Sequence, residues 1–257
     1  MFMLIFSKIS SASNACRLRT LVIRMSSQLY RPVVSTEWLN KELKDRKGGL
    51  AVLDVTWFSD KDACSGFSKQ HIMHASYMDM FFGVENTALL PRNIPDATTF
   101  QMNARGSAVN NGDHVVIYEN VGRFGFSMGA RAWWTFKEGD FTAKFNPKWM
   151  RKFEDMEENV KSQKHKSQDW PLAWCSEHSI PSLFNPDTKI LKTVDELKKV
   201  YADVGIDLSK PVITMCGSGM SSCTLVLAAH VCGCPDVALY PGGFNEWRGK
   251  VDPSQIE

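Results

Sequence analysis

The sequence predicts an α/β fold, and two stretches of the 257-residue chain carry this prediction. Residues 211–231 read as a short apolar strand, a loop with two glycines and a helix. Residues 114–137 repeat that order, with Glu119 where the later stretch has Cys216. A strand, a glycine-bearing loop and a helix make up the repeating unit of parallel sheets covered by helices. Two copies therefore predict two similar α/β units, and only the second has a cysteine at this position as a candidate catalytic residue.

The first half supplies the elements that one such unit needs. Trp38 and Leu39 lie on the inner face of a helix that begins at Ser35, a residue type that caps helix N-termini. The further predicted elements are strands at 50–57, 75–80 and 114–118 and helices at 95–104 and 130–137.

The second half is predicted from similar signals. Residues 149–160 have the apolar spacing of an amphipathic helix. Thr193 and Glu196 form the pattern of a capping box, so a helix is expected from there to Val204, with Gly205 at its end. Residues 236–240 return to the sheet as a strand beside the strand at 212–215.

Composition excludes several classes of function. The net charge of +2 does not indicate a nucleic-acid-binding surface. No stretch of the sequence reaches the roughly 20 apolar residues that are needed to span a bilayer. The 7 cysteines are odd in number and scattered, which favours a reducing compartment over a disulfide framework. The spacing of Cys216, Cys223, Cys232 and Cys234 does not match zinc sites, so no metal is expected.

The N-terminus predicts a targeting segment at residues 1–30. Before Glu37 there is no acidic residue, and serines and apolar residues separate five basic ones: Lys8, Arg17, Arg19, Arg24 and Arg31. This composition is typical of a mitochondrial presequence. A weak secretory signal and internal initiation at Met25 are the alternatives. The expected location is therefore mitochondrial, with a cytoplasmic form as the alternative.

Cys216 is the candidate nucleophile. It begins the loop between strand and helix, where Gly217 and Gly219 allow a tight backbone and Ser221 or Ser222 is expected to cap the helix. A sulfur at the positive end of a helix dipole, facing backbone N–H groups, has a lowered pKa and lies beside a place for an anion.

Three interpretations of this loop are open from the residues alone. A buried structural cysteine is the simplest. A phosphatase loop would have arginine six positions after the cysteine, where this chain has Ser222, and is rejected. The third is the persulfide-carrying loop of a sulfurtransferase, which would run from Cys216 to Ser221.

The motifs favour the third interpretation. Cys-Gly-Ser-Gly-Met-Ser at 216–221 resembles the active-site loop of the 3-mercaptopyruvate sulfurtransferases. Residues 240–247 are similar to the C-terminal signature of the rhodanese superfamily, and 67–75 resemble its N-terminal signature less well, with Met73-His74 in place of Pro-Gly. The resemblance extends over residues 30–257 in the family's order.

The resemblance implies two rhodanese-like domains, each a parallel-stranded sheet flanked by helices. They would be a non-catalytic domain at 31–138, a linker at 139–165 and a catalytic domain at 166–257. Both are shortened relative to the family. The first lacks a counterpart of the strand at 237–240, which would leave a sheet edge unpaired. The second lacks the segment in which the family has a second substrate-binding arginine.

The resemblance also implies the chemistry. The Cys216 thiolate would take sulfur from 3-mercaptopyruvate as a persulfide and pass it to a thiol such as thioredoxin, with no cofactor. Ser218 would relay a proton, Arg131 would orient the substrate carboxylate, and the loop backbone would hold the anion through Gly217, Gly219, Met220 and Ser221. Thiosulfate is the alternative donor, disfavoured because residues 217–221 contain no cation. A shortened, inactive protein that binds thiols or partners remains a second alternative.

Overall fold

A computed structural model describes residues 2–5, 32–45, 48–120, 126–138, 149–162, 179–188 and 190–252. The strands are β1 (Phe2–Ile5), β2 (Leu50–Asp54), β3 (Ala75–Tyr77), β4 (His114–Glu119), β5 (Val212–Thr214) and β6 (Val237–Leu239). The helices are α1 (Thr36–Asp45), α2 (Ala63–Lys69), α3 (Ala97–Gly106), α4 (Ser127–Glu138), α5 (Phe153–Ser162), α6 (Ser179–Ser182), α7 (Val194–Asp203), α8 (Ser222–Val231) and α9 (Gly243–Lys250). Within these residues, no helix has the length and hydropathy needed to cross a membrane.

The first sheet has the strand order β1-β4-β2-β3. Strand β2 pairs in parallel with both β3 and β4, with Val52 opposite Val116 in the latter pair. The interior of β2 and β4 is apolar and buried, as expected for strands covered on both faces. The predicted parallel α/β arrangement is therefore confirmed for this sheet.

The edge of β4 that the sequence left without a partner is occupied by β1. Phe2 lies opposite Glu119 and Ile5 opposite Val116, in antiparallel register. These four residues belong to the predicted leader, whose remaining residues lie outside the described ones. An antiparallel edge strand supplies hydrogen-bond partners for the backbone groups on this edge of β4. Cleavage of a leader would remove this strand.

The second sheet contains β5 and β6 in parallel, and a short extended segment continues it. Met150 bridges to Leu239, while the Arg151 N–H donates to the Leu239 carbonyl at 2.8 Å. The prediction of a helix from residue 149 is corrected here, because α5 begins only at Phe153. Pairing with β6 holds residues 149–151 extended, and the Asp155 carboxylate accepts the Lys152 N–H at the helix start.

The two halves share one hydrophobic core. Helix α4 packs on α8, and the fully buried side chains of Trp133, Trp134 and Leu225 belong to a single cluster that extends into both halves. The Trp134 indole N–H donates to the Trp149 carbonyl at 3.2 Å across the same contact. The domain boundaries stay a prediction, but the structure places the two halves in tight contact beside the Cys216 loop.

Candidate active site

Cys216 begins the loop that joins β5 to α8, and the start of α9 fixes the direction of that loop. The Phe244 N–H donates to the Cys216 carbonyl at 2.8 Å, and the Asn245 N–H donates to the Gly217 carbonyl at 2.9 Å. Because these carbonyls are turned toward α9, the following loop N–H groups can turn toward the sulfur. The rhodanese-like segment 240–247 therefore supports the loop through its backbone.

Two glycines are required by close backbone contacts. Gly219 has φ +72°, and a Cβ there would lie 2.0 Å from the Pro241 carbonyl oxygen. Gly243 has φ +58°, and its Cβ would lie 2.3 Å from the Cys216 carbonyl oxygen. Gly217 was expected to serve the same purpose, but a Cβ at that position meets nothing within 4 Å and its φ is not positive. The tight backbone of the loop thus depends on Gly219.

The Cys216 sulfur is buried, with 4% of the residue exposed, and its pKa is nevertheless lowered. Burial on its own raises the pKa of a thiol, because it disfavours the charged form. Hydrogen bonds from the Ser221 and Ser222 side chains and from the Ser222 and Ser218 backbone N–H groups outweigh that effect. The Ser222 hydroxyl lies 3.4 Å from the sulfur. The structure therefore favours a thiolate at Cys216.

The serines at the start of α8 act on the sulfur and do not cap the helix. Ser221 occupies the N-cap position, but its side chain makes no capping hydrogen bond. The sequence predicts Ser222 as a possible helix cap and as the residue that replaces a phosphatase arginine, but not as a residue in contact with the sulfur. Its spacing could have indicated the contact, since the residue six positions after the nucleophile of such a loop faces the bound anion.

The other thiol of this helix differs sharply from Cys216. Cys223 is fully buried, and burial raises its pKa to about 12. Its thiol donates to the Gly219 carbonyl at 3.4 Å. Cys223 therefore stays protonated and helps to hold the loop, whereas the pKa of Cys216 is shifted in the opposite direction.

Glu119 in the first half occupies the position equivalent to Cys216. Its carboxylate accepts the Gly129 N–H at the start of α4, as the Cys216 sulfur accepts N–H groups at the start of α8. Burial raises the pKa of Glu119 to about 8 in spite of hydrogen bonds from Gly129, Met128 and Ser127 N–H groups. Burial, together with the charge of Asp54, therefore outweighs the backbone hydrogen bonds, and Glu119 is mostly protonated at neutral pH.

Arg131 is not exposed to a substrate, which corrects the prediction that it orients a carboxylate. The residue is 0% exposed, and its guanidinium donates to the carbonyls of Gly219 at 3.2 Å, Arg92 at 2.9 Å and Asn93 at 2.8 Å. It therefore joins the catalytic loop to a loop of the first half. Met220 is also buried, so its side chain packs in the core and only its backbone can serve a ligand.

Arg92 is the cation that the sequence did not reveal. Its Nη1 donates to the Ser218 hydroxyl at 3.1 Å across 126 positions of sequence, and its guanidinium lies 5.7 Å from the Trp57 ring. Ser218, predicted to relay a proton, thus accepts a hydrogen bond from an arginine of the other half. No motif marks Arg92, because the contact arises only when the two halves pack.

Comparison with known proteins identifies sulfurtransferases that are similar to this chain. A model of the rhodanese-like domain matches residues 171–250. The chain is 27% identical to rat 3-mercaptopyruvate sulfurtransferase over 285 residues, covering 89% of this chain and 96% of that protein. It is 28% identical to rat thiosulfate sulfurtransferase over 283 residues, covering 88% and 94%.

Solved structures show the same fold. The structure of SseA from Escherichia coli, described as a 3-mercaptopyruvate sulfotransferase with the rhodanese fold, matches with a TM-score of 0.67 at 22% identity and covers 81% of this chain and 97% of that one. The Tum1 protein from Saccharomyces cerevisiae matches with a TM-score of 0.69 at 21% identity and covers 85% and 95%. The predicted rhodanese-like fold is confirmed.

Proposed function

We propose that this chain, which is similar to 3-mercaptopyruvate sulfurtransferases, is a rhodanese-type sulfurtransferase in which Cys216 carries sulfur as a persulfide between 3-mercaptopyruvate and an acceptor thiol. The observation that carries the proposal is the lowered pKa of a buried sulfur that accepts hydrogen bonds from Ser218, Ser221 and Ser222. A structural cysteine in an apolar core, such as Cys223, has a raised pKa.

In the first step, the Cys216 thiolate attacks the sulfur of 3-mercaptopyruvate. An S–S bond forms, and the C–S bond breaks with its electron pair left on the pyruvate carbon as an enolate. The thiol proton of the donor ends on that carbon, so the products are pyruvate and the Cys216 persulfide anion. The N–H groups and hydroxyls that stabilise the thiolate also lie at the place where the persulfide charge develops.

In the second step, an acceptor thiol attacks the outer sulfur. The new S–S bond forms on the acceptor, the Cys216 thiolate leaves, and the acceptor holds a persulfide. A lowered pKa makes Cys216 a good leaving group in this exchange. Small thiols and thioredoxin-type proteins are the proposed acceptors.

Thiosulfate is a second candidate donor, and Arg92 is the observation that favours it. The catalytic loop contains no cation of its own, but the Arg92 guanidinium reaches Ser218 from the other half. Attack on the outer sulfur of thiosulfate would give the same Cys216 persulfide and release sulfite with the electron pair of the broken S–S bond. A positive charge at this position would stabilise the doubly charged donor.

Intact-mass spectrometry of the full chain tests the proposal with both donors in parallel. We expect a gain of one sulfur atom on the wild-type protein, located at Cys216 and reversed by an added thiol. Cys216→Ser should show no gain, whereas Cys64→Ser, which removes an exposed cysteine away from the loop, should behave as wild type. A folded wild-type protein that gains no sulfur from either donor would support the inactive alternative.

We also propose a mitochondrial location, with a cytoplasmic form from Met25 as the alternative. The basic, acid-free composition of the first 30 residues supports it. Detection of the protein in separated mitochondrial and cytoplasmic fractions tests it, and absence of the protein from the mitochondrial fraction would contradict it.

A further inference from the structure

We propose that Arg92 binds the anionic group of the sulfur donor, a carboxylate or a sulfonate, while its sulfur lies at Cys216. This inference rests on the proposed function for the class of donor. It assigns the binding of the anion to a residue of the first half.

The backbone of Arg92 is held firmly beside the catalytic loop. The buried Arg131 guanidinium donates to the Arg92, Asn93 and Gly219 carbonyls, so one side chain fixes both loops. Asn93 braces the first loop from within, because its amide donates to the Glu85 carbonyl at 3.1 Å and its N–H donates to the Asn86 side chain at 3.0 Å. Little backbone conformational entropy therefore remains to be lost when the Arg92 side chain binds a ligand.

The Arg92 side chain lies beside the catalytic loop. It is half-buried, and its Nη1 reaches the hydroxyl of Ser218, whose own backbone N–H bonds to the Cys216 sulfur. The guanidinium also lies against Trp57, which limits its orientation and shields it on one side from water. An anion bound to Arg92 would thus lie next to the reacting sulfur.

The charge of Arg92 has no protein counterpart in the described part of the chain. No carboxylate there lies within ion-pair distance of its guanidinium, and the hydrogen bond to Ser218 uses only one of the five N–H donors of arginine. A partly desolvated guanidinium with free donors is suited to bind a planar carboxylate or a sulfonate through two hydrogen bonds.

Alkylation of Cys216 by two reagents that differ only in charge separates anion binding from thiol reactivity. In both cases the thiolate displaces iodide and forms a C–S bond, but iodoacetate carries a carboxylate and iodoacetamide is neutral. A change in the Cys216 pKa alters both rates equally, so the ratio of the two rate constants reports the binding of the anion. The ratio is measured by mass spectrometry of the Cys216 peptide in the full chain.

Arg92→Gln keeps a donor for Ser218 and removes the charge, whereas Arg92→Lys keeps the charge and removes the planar fork. We expect the iodoacetate to iodoacetamide ratio to fall roughly tenfold in Arg92→Gln and less in Arg92→Lys, as for loss of a charge-assisted contact. Arg105→Gln, an equal change of charge on the exposed end of α3, should leave the ratio at the wild-type value. A wild-type ratio in a folded Arg92→Gln protein would overturn the proposal.

The same variants distinguish failure of this inference from failure of the proposed function. If the wild-type protein gains sulfur and Arg92→Gln gains it at the same rate at low donor concentration, Arg92 does not bind the donor. If the wild-type protein gains no sulfur but Arg92→Gln still lowers the iodoacetate to iodoacetamide ratio, Arg92 binds an anion and the proposed sulfur transfer is wrong. The anion-binding role of Arg92 and the proposed sulfur transfer are both supported if Arg92→Gln has a raised KM for the donor and an unchanged rate of sulfur transfer to the acceptor.

Discussion

Replacement of Gly219 by alanine should disrupt the catalytic loop, whereas the same replacement at Gly217 should be tolerated. A Cβ on Gly219 would lie 2.0 Å from the Pro241 carbonyl oxygen, and its φ of +72° disfavours any side chain. A Cβ on Gly217, two positions earlier and exposed, meets nothing within 4 Å. The two variants thus add the same methyl group to the same loop in opposite environments.

The expected magnitude follows from these contacts. A left-handed conformation costs alanine about 1–2 kcal/mol, and forcing a methyl group into a packed site costs about 1–3 kcal/mol more. At roughly 2–4 °C per kcal/mol for a domain of about this size, the melting temperature of Gly219→Ala should fall by roughly 4–20 °C. Gly217→Ala should change it by less than about 2 °C, since surface substitutions usually stay within about 0.5 kcal/mol.

Thermal melting followed by circular dichroism measures the first effect, and the iodoacetamide rate at Cys216 measures the second. Because the Gly219 carbonyl also accepts from Arg131 and Cys223, its displacement should slow alkylation in the variant that remains folded. Equal melting temperatures and equal rates for the two variants would refute the reasoning that Gly219 fixes the loop.

Three further outcomes follow from the structure. Ser222→Ala removes a hydroxyl that stabilises the thiolate by about 1–3 kcal/mol, so the pH profile of Cys216 alkylation should move to higher pH, and an unmoved profile would contradict this. Burial raises the pKa of Glu119 from 4.5 to about 8. The contribution of protonated Glu119 to the free energy of unfolding is therefore complete below pH 4.5 and is lost as the pH rises through about 8. Denaturant unfolding of Glu119→Gln should therefore show a gain over wild type that grows between about pH 5 and about pH 9, and a constant difference would count against the shift. A chain that begins at Met25 lacks β1 and leaves an edge of β4 unpaired, so it should melt roughly 2–8 °C lower than the full chain, whereas an unchanged melting temperature would show that β1 adds no stability.

The part of the site around Cys216 could be predicted because its residues are contiguous in the sequence. The apolar residues of β5, the glycines and the following helix define a strand, a tight loop and a helix N-terminus around Cys216. The capping box of α7 was likewise predicted, and the structure shows both of its hydrogen bonds. Interactions within a few residues of each other follow from spacing alone.

The rest depends on packing between distant segments. Residues 149–151 have a helical pattern, but pairing with β6 overrides it. Arg131 resembles a ligand-binding residue by type, yet the Ala and Trp residues on either side of it already indicate a buried helix face. Arg92 reaches the site from 126 positions away, and β1 comes from a segment whose composition predicts a leader. Neither contact leaves a periodic signal in the sequence.

The pH dependence of Cys216 alkylation tests the whole account most directly. Iodoacetamide rates at the Cys216 peptide, with Cys216→Ser as the blank, should rise with pH with a midpoint below the value of about 8.5 for a free cysteine. A midpoint at or above that value in the folded chain would mean that burial outweighs the hydrogen bonds. Cys216 would then not be an activated nucleophile for sulfur transfer.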